Sequence, residues 1–192
     1  MNETLTIKKA PTRKALAMVE YSTVSSGITA LDIITKAAEV EILAAQTICP
    51  GKYMILFCGG LGATKAALEA ARSTSGLIDE FILGRPHTSI FTALNRAENL
   101  PKNAALGLVE TFSGTAAIKA ADTAAKTSWV SLEEIRIAHG MCGKSTVMFT
   151  GDVAAVTVSL EAAKKEAAEK GMLLDTALIP NPDEKMLAAL AK

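Results

Sequence analysis

The apolar and polar positions of this chain fall into short runs whose period changes from two to about 3.6 and back, and those changes mark out its elements. Residues 14–20 (KALAMVE) form an apolar run with a charge at each end and read as a strand. Ser25 and Ser26 then offer an N-cap, and Ile28, Leu31 and Ile34 share one face of a helix running to about Ala38. Glu41 to Thr47 and Tyr53 to Cys58 read as the two arms of a hairpin, the second without a charge, with Pro50 and Gly51 as the turn. Gly59 and Gly60 break that strand. Ala63, Ala66, Ala67, Ala70 and Ala71 recur at helical spacing, and Gly76 reads as the helix end. Leu77 to Leu83 gives another strand, after which Arg85, Pro86 and His87 lead into a short tail helix to about Leu94.

After a polar, proline-containing stretch the pattern begins again about ninety positions on. Leu106 to Glu110 repeats Leu16 to Glu20, and in the same register Ala30 pairs with Ala120, Asp32 with Asp122, Lys36 with Lys126 and Val40 with Val130. Past the hairpin turn the register slips by two, pairing Lys52 with Lys144, Phe57 with Phe149, Gly59 with Gly151 and Glu69 with Glu161, so the second turn is longer. Asp152 is placed to cap a helix carrying Val156, Leu160, Ala163 and Ala167, which Gly171 ends before a last strand from Met172 to Ile179. A duplication of this size makes each copy a fold unit. The expected organisation is an N-terminal extension over 1–13, a first domain over 14–94, a linker over 95–103 and a second domain over 104–192. Each domain reads as β-α-β-β-α-β, so the fold class is α+β, with helices on a mostly antiparallel sheet.

Composition narrows the function. Twenty Lys and Arg residues against twenty Asp and Glu leave a net charge of zero, which argues against a nucleic-acid partner, since that needs a clustered basic surplus. No apolar run approaches the roughly 18 residues of a membrane span, and the first residues lack the apolar core of a signal peptide; no membrane partner and a cytoplasmic location are expected. Only 4% of residues are aromatic, so the core must rely on close contacts between alanine-rich helices and sheet, which suits tiled assemblies. Three cysteines, an odd number, suggest free thiols or a metal site rather than a disulfide framework.

The candidate chemistry gathers on loops. Cys49 at the hairpin tip reads either as a small half-buried thiol or as a presented ligand. Cys58, inside an apolar strand, reads as core. Cys142 lies in a glycine-flanked loop without a CxxC partner, and His139 beside it reads as a solvated loop residue, a pore-lining group or a ligand. Lys36 and Lys126 end helices, where a cation suits the macrodipole with no further role. The two histidines, His87 and His139, hold non-equivalent places and assemble no nucleophile, base and orienting acid, so no enzyme is expected. Gly59, Gly60 and Gly62 lack the GxxxxGK[ST] of a phosphate loop.

Several of these features together resemble the tandem-domain shell proteins of bacterial microcompartments. They are LxxVE opening each half, the AxDxxxK helices ending at Lys36 and Lys126, the loops ending at Lys52 and Lys144, the glycine steps at Gly59 and Gly151, and Arg85-Pro86-His87. The likeness spans about residues 14–190. The segment TICPGK (47–52) resembles the pore loop of the iron–sulfur-bearing shell proteins of propanediol-utilisation compartments. The resemblance implies a homotrimer, a pseudo-hexagonal tile whose central loops meet on the threefold axis. Ile48, Cys49, Pro50, Gly51 and Lys52 would line the pore, together with His139, Gly140, Met141, Cys142 and Gly143 from the second half.

It further implies one [4Fe-4S] cluster per trimer, shared by Cys49 of three chains. Such clusters are held by cysteine thiolates, usually four, so a single loop cysteine reaches the necessary number only through cyclic closure. Lys36, Lys126 and Arg85 become tile-edge residues, with alternate edges differing because Asn181, Pro182 and Asp183 stand where Arg85, Pro86 and His87 do. The implied partners are other copies of the chain, other shell proteins and redox enzymes inside the compartment, and the implied location is the microcompartment shell. The function expected is a structural tile passing electrons or delivering a cluster. Alternatives are a tile without a cluster whose pore conducts a small metabolite, and a thiol-dependent redox enzyme using Cys49 or Cys142.

Overall fold

The computed structural model describes residues 14–94, 100–138 and 140–190. The expected N-terminal extension, residues 95–99 of the expected linker and His139 lie outside the described residues. Two compact units divide between Pro86 and His87.

The first unit runs β1 (Ala15–Tyr21), α1 (Val24–Ala37), β2 (Glu41–Ile48), β3 (Lys52–Gly59), α2 (Leu61–Ala71) and β4 (Leu77–Leu83). Its four strands lie in the order β2-β3-β1-β4 with every neighbouring pair antiparallel. Alternation along β1 and β3 turns Ala17, Val19, Tyr21, Ile55 and Phe57 to one face, where they meet Ala30 and Ile34 of α1 and Ala67, Leu68 and Ala71 of α2. Small helix residues let the helices sit close to the sheet, and the Tyr21 hydroxyl donates to the Ala71 carbonyl at 2.7 Å, tying β1 to the end of α2.

Local details depart from the sequence pattern in three places. The cap of α1 is Thr23, whose Oγ1 accepts the Ser26 N–H at 3.3 Å, rather than Ser25 or Ser26. Ile28, expected on the core face of α1, is 54% exposed, because Gly27, Ala30 and Ile34 already meet the sheet one step round the helix. Helix α2 stops at Ala71, where a tight turn (Ser73 N–H to Ala70 O, 3.1 Å) takes over. Gly76, at φ +85°, instead serves the entry to β4, with its carbonyl accepting the Ser22 N–H at 2.8 Å.

The second unit contains α3 (Ser89–Ala93), β5 (Ala105–Thr111), α4 (Gly114–Thr127), β6 (Val130–Arg136), β7 (Ser145–Gly151), α5 (Val153–Glu169), β8 (Leu173–Ile179) and α6 (Glu184–Leu190). Its strand order, β6-β7-β5-β8, repeats that of the first unit. Even the irregularities recur: the ladder slips after Glu20 and after Glu110, and again between Ile42 and Ala44 and between Leu132 and Glu134. Ser113 caps α4 as Thr23 caps α1, accepting the Ala116 N–H at 3.1 Å. Asp152 occupies the cap position of α5 without a side-chain cap bond; its backbone carbonyl closes the first turn to Val156 at 2.9 Å.

Helix α3, expected as the tail of the first domain, packs against α4 and β6 of the second unit, with Ile90 and Phe91 buried. The compact units therefore part before α3 and not after residue 94. Among the described residues no helix is long and apolar enough to cross a membrane.

Candidate functional site

The β2–β3 turn is short, three residues between Ile48 and Lys52, and joins two strands that pair directly. Its geometry is set by the backbone: Gly51 sits at φ +85°, a conformation glycine adopts without a Cβ penalty, and its N–H donates to the Ile48 carbonyl at 3.0 Å. Ile48 is buried, which pins the end of β2, while Pro50 and Gly51 are exposed. Cys49 thus stands at the tip of the hairpin, half-exposed. At the base of the turn Lys52 pairs with Glu20 of β1, Nζ to Oε2 3.4 Å. Glu20 is almost wholly buried (1% exposed), so the cation sits over a desolvated carboxylate. The sequence signal for this pair was a lone charge in the otherwise uncharged strand ALAMVEY; its connection to the turn could not be read without the β1–β3 register.

The corresponding turn of the second unit is longer and built differently. Ala138 (φ +45°), Gly140 (+68°), Cys142 (+53°) and Gly143 (+87°) all take left-handed backbone conformations. The Ala138 N–H donates to Ser145 Oγ at 3.1 Å and the Lys144 N–H to the Met141 carbonyl at 3.0 Å. Cys142 is exposed, Met141 half-buried and Gly143 buried. The structure thus gathers Ile48 to Lys52 in one turn and Gly140 to Gly143 in another, in separate units.

Cys58 is buried and its thiol lies 3.9 Å from Glu41 Oε2. Burial first, and then the Glu41 charge, push its pKa up to about 11, against a small opposing pull from Lys14. It stays a protonated core thiol at neutral pH, unsuited to ligation. Cys49 and Cys142 are the accessible cysteines.

The residues expected at a tile edge are less alike than their repeat suggests. Lys36 pairs with Asp32 at 2.7 Å on an exposed helix face, 74% and 60% exposed. Lys126 pairs with Asp122, whose side chain is only 8% exposed and which also accepts the His87 backbone N–H at 2.6 Å. Arg85 is exposed at the end of the first unit.

Among the described residues, no group of three or more His, Cys, Asp or Glu side chains could hold a metal ion. One accessible thiol at a hairpin tip is a donor that fits an iron–sulfur cluster only if several chains bring their tips together.

Comparison with known proteins gives a consistent picture. The profile of the BMC domain matches residues 15–86 and 105–182. The chain is 36% identical over 175 residues to the bacterial microcompartment shell protein PduT of Citrobacter freundii, covering 90% of this chain and 95% of that one. It is 28% identical over 174 residues to the carboxysome assembly protein CcmO of Synechococcus elongatus, covering 83% of this chain and 62% of that one. A solved microcompartment protein from Desulfitobacterium hafniense DCB superimposes with a TM-score of 0.83 at 43% identity, over 90% of this chain and 97% of that one.

Proposed function

The chain belongs to the BMC-domain family of bacterial microcompartment shell proteins, and from that premise we propose that three copies form a tile whose β2–β3 turns meet on the threefold axis and hold one [4Fe-4S] cluster through Cys49. Family membership makes the protein a structural component of a microcompartment shell rather than an enzyme.

The observation that carries the cluster reading is the placement of Cys49: an accessible thiol at the tip of a turn whose shape is fixed by Gly51 and by Ile48, not by the sulfur. Three such thiolates supply three of the four cysteine positions that a cubane cluster ordinarily uses. The chain's own task is to present the thiol and keep it still. Lys52 and Glu20 anchor the downstream arm, and the buried Ile48 side chain anchors the upstream arm. When bound, the cluster would supply one-electron redox chemistry at the tile's centre, for electron transfer or cluster delivery across the shell. Gly140, Met141, Cys142 and Gly143 of the second turn, with His139, would line the same pore.

Lateral partners are other tiles and other shell proteins, met through Lys36, Lys126 and Arg85; redox enzymes inside the compartment would be the electron partners. The test is a visible and EPR spectrum of anaerobically purified protein, with its mass in solution. A brown assembly of three 20.0 kDa chains supports the proposal. A colourless trimer removes the cluster and leaves a pore for small metabolites; a colourless monomer with thiol turnover removes the tile as well.

A further inference from the structure

Both tyrosines of the chain sit in one row of the sheet at the foot of the Cys49 turn. Tyr53 pairs with Tyr21 of β1 on one side and with Thr47 of β2 on the other, next to the Ile48–Lys52 pair that brackets the turn. Cys49 is therefore two residues beyond Thr47, roughly 7 Å along the strand. Tyr21 is fully buried, and Tyr53 is half-buried against the core between sheet and helices. The Tyr53 side chain rests on α1 at Gly27, where an added Cβ would overlap it, 2.5 Å from its Cγ. Glycine in a helix costs about 1 kcal/mol against alanine, and here it gives the ring its seat. Lys52, the neighbouring residue, points to the opposite face of the sheet and pairs with Glu20.

The second repeat changes all three positions together. Thr111, Ser145 and Ala117 stand where Tyr21, Tyr53 and Gly27 do. Ser145 is fully buried and its Oγ accepts the Ala138 N–H at 3.1 Å, so a buried loop residue is drawn in where the first unit holds a ring. Thr111 Oγ1 donates to the Ser113 carbonyl at 2.8 Å. The short turn thus goes with an aromatic wedge and the long turn with a hydroxyl, although the strand order is the same in both units.

We propose that Tyr53, seated on Gly27, is the positioning residue for Cys49: the ring fixes β3 against α1 at the foot of the turn, and with it the direction in which the thiol is presented. This rests on the reading of Cys49 as the cluster ligand and adds which side chain aims it. The ring makes the contact with Gly27, so phenylalanine serves in place of tyrosine. Truncating the ring frees the turn from the helix face and leaves the Lys52–Glu20 pair holding it from the other. Cys49 is already half-exposed, so its reactivity follows the local turn and not global unfolding. Phe57, on the same face four residues along β3 and fully buried, supplies the comparison.

The test has two arms, both on the full chain. With Cys142→Ser in place and any cluster removed, Cys49 is the remaining accessible thiol, and its rate with a disulfide reagent is measured under native conditions. Tyr53→Ala and Gly27→Ala should each raise that rate several-fold, and Tyr53→Phe should keep it. Phe57→Leu should lower the urea midpoint and leave the rate unchanged. In the second arm the otherwise native chain is purified anaerobically. Tyr53→Ala should bind less iron per chain and change the EPR line shape of the reduced cluster, and Tyr53→Phe should restore both. An unchanged Cys49 rate in Tyr53→Ala, or an equal rise in Phe57→Leu, overturns the inference and leaves the cluster reading standing. If the native protein binds no iron, the cluster reading falls and the first arm alone decides the role of Tyr53. Should Tyr53→Ala misfold, Tyr53→Leu, which keeps an apolar side chain without the ring, decides in the same assay.

Discussion

Lys52 Nζ lies 3.4 Å from Glu20 Oε2, joining the first residue of β3, at the foot of the Cys49 turn, to a carboxylate that is 1% exposed. Removing the cation without removing the carboxylate leaves a buried charge with one partner fewer. Since Lys52 is itself partly exposed, water recovers some of that cost. Lys52→Met should lower unfolding free energy by about 1–3 kcal/mol, read as a lower urea midpoint with an unchanged slope. Lys52→Arg should retain most of it. An unchanged midpoint for Lys52→Met would mean that Glu20 is satisfied without this partner.

Cys58 gives a pH signature. Its native pKa, raised to about 11 by burial and the Glu41 charge, lies above the value the thiol has in the unfolded chain. As pH climbs past that ordinary value the unfolded chain loses the proton first and the native protein retains it, so the native state binds more protons and stability falls. The stabilisation is complete below the ordinary thiol pKa and lost by about pH 11, amounting to at most about 3 kcal/mol. Native protein freed of any cluster should at neutral pH react at two thiols with a disulfide reagent, and at all three in denaturant. A third fast thiol in native protein would show that Cys58 is not enclosed.

Two glycines should respond in opposite directions. A Cβ on Gly107 would come within 2.5 Å of the Phe149 ring and 2.9 Å of Val156, in the middle of β5 against α5. Gly107→Ala should therefore cost about 1–3 kcal/mol by overpacking. Gly62, in the first turn of α2, has nothing within 4 Å of that position, and Gly62→Ala should stabilise by about 0.4–1 kcal/mol through the unfolded chain. Thermal melts of the two variants that moved the same way would contradict this account of the packing.

The repeat, the strands and the helices were legible because hydrophobic period and turn chemistry are local, and Leu16 to Glu20 and Leu106 to Glu110 carry them in nearly the same letters. The Cys49 turn was legible for the same reason, with Pro50 and Gly51 marking it. What the pattern could not hold is what depends on neighbours. Ile28 and Ile118 stand at the same place in the same AxDxxxK helix, yet one is exposed and the other buried. Nor could five residues of α3 declare by period which unit they join; that follows from the His87 bond to Asp122 and the packing on β6.

The helix-end lysines should separate under mutation for that reason. Lys36 and Asp32 form an exposed i,i+4 pair, worth less than about 0.5 kcal/mol, so Lys36→Ala should barely move the melting temperature. Lys126 serves a buried carboxylate, and Lys126→Ala should cost about 1–2 kcal/mol. If both residues also lie along tile seams, electron microscopy should show fewer ordered sheets for either variant while the mass of the tile is kept. Loss of the tile itself would place the lysines on the interface between chains.

Cys49→Ser addresses the cluster directly. The turn is held by the Gly51 N–H to Ile48 carbonyl bond and by the conformation at Gly51, so exchanging sulfur for oxygen should leave secondary structure, melting temperature and solution mass unchanged. The hydroxyl cannot replace the thiolate, which is the species that binds iron. Because each chain gives one ligand, a single substitution removes three donors from a closed ring, and the visible absorption should vanish completely rather than fade in proportion. Binding should also weaken at acid pH, where protons compete for the thiolate. Cys58→Ser should keep the colour and lose stability, since a hydroxyl there enters an apolar strand. Cys142→Ser decides between the two turns: colour lost with Cys142→Ser and kept with Cys49→Ser would move the ligand to the second unit, whose turn holds its cysteine at φ +53° on an exposed, glycine-flanked backbone.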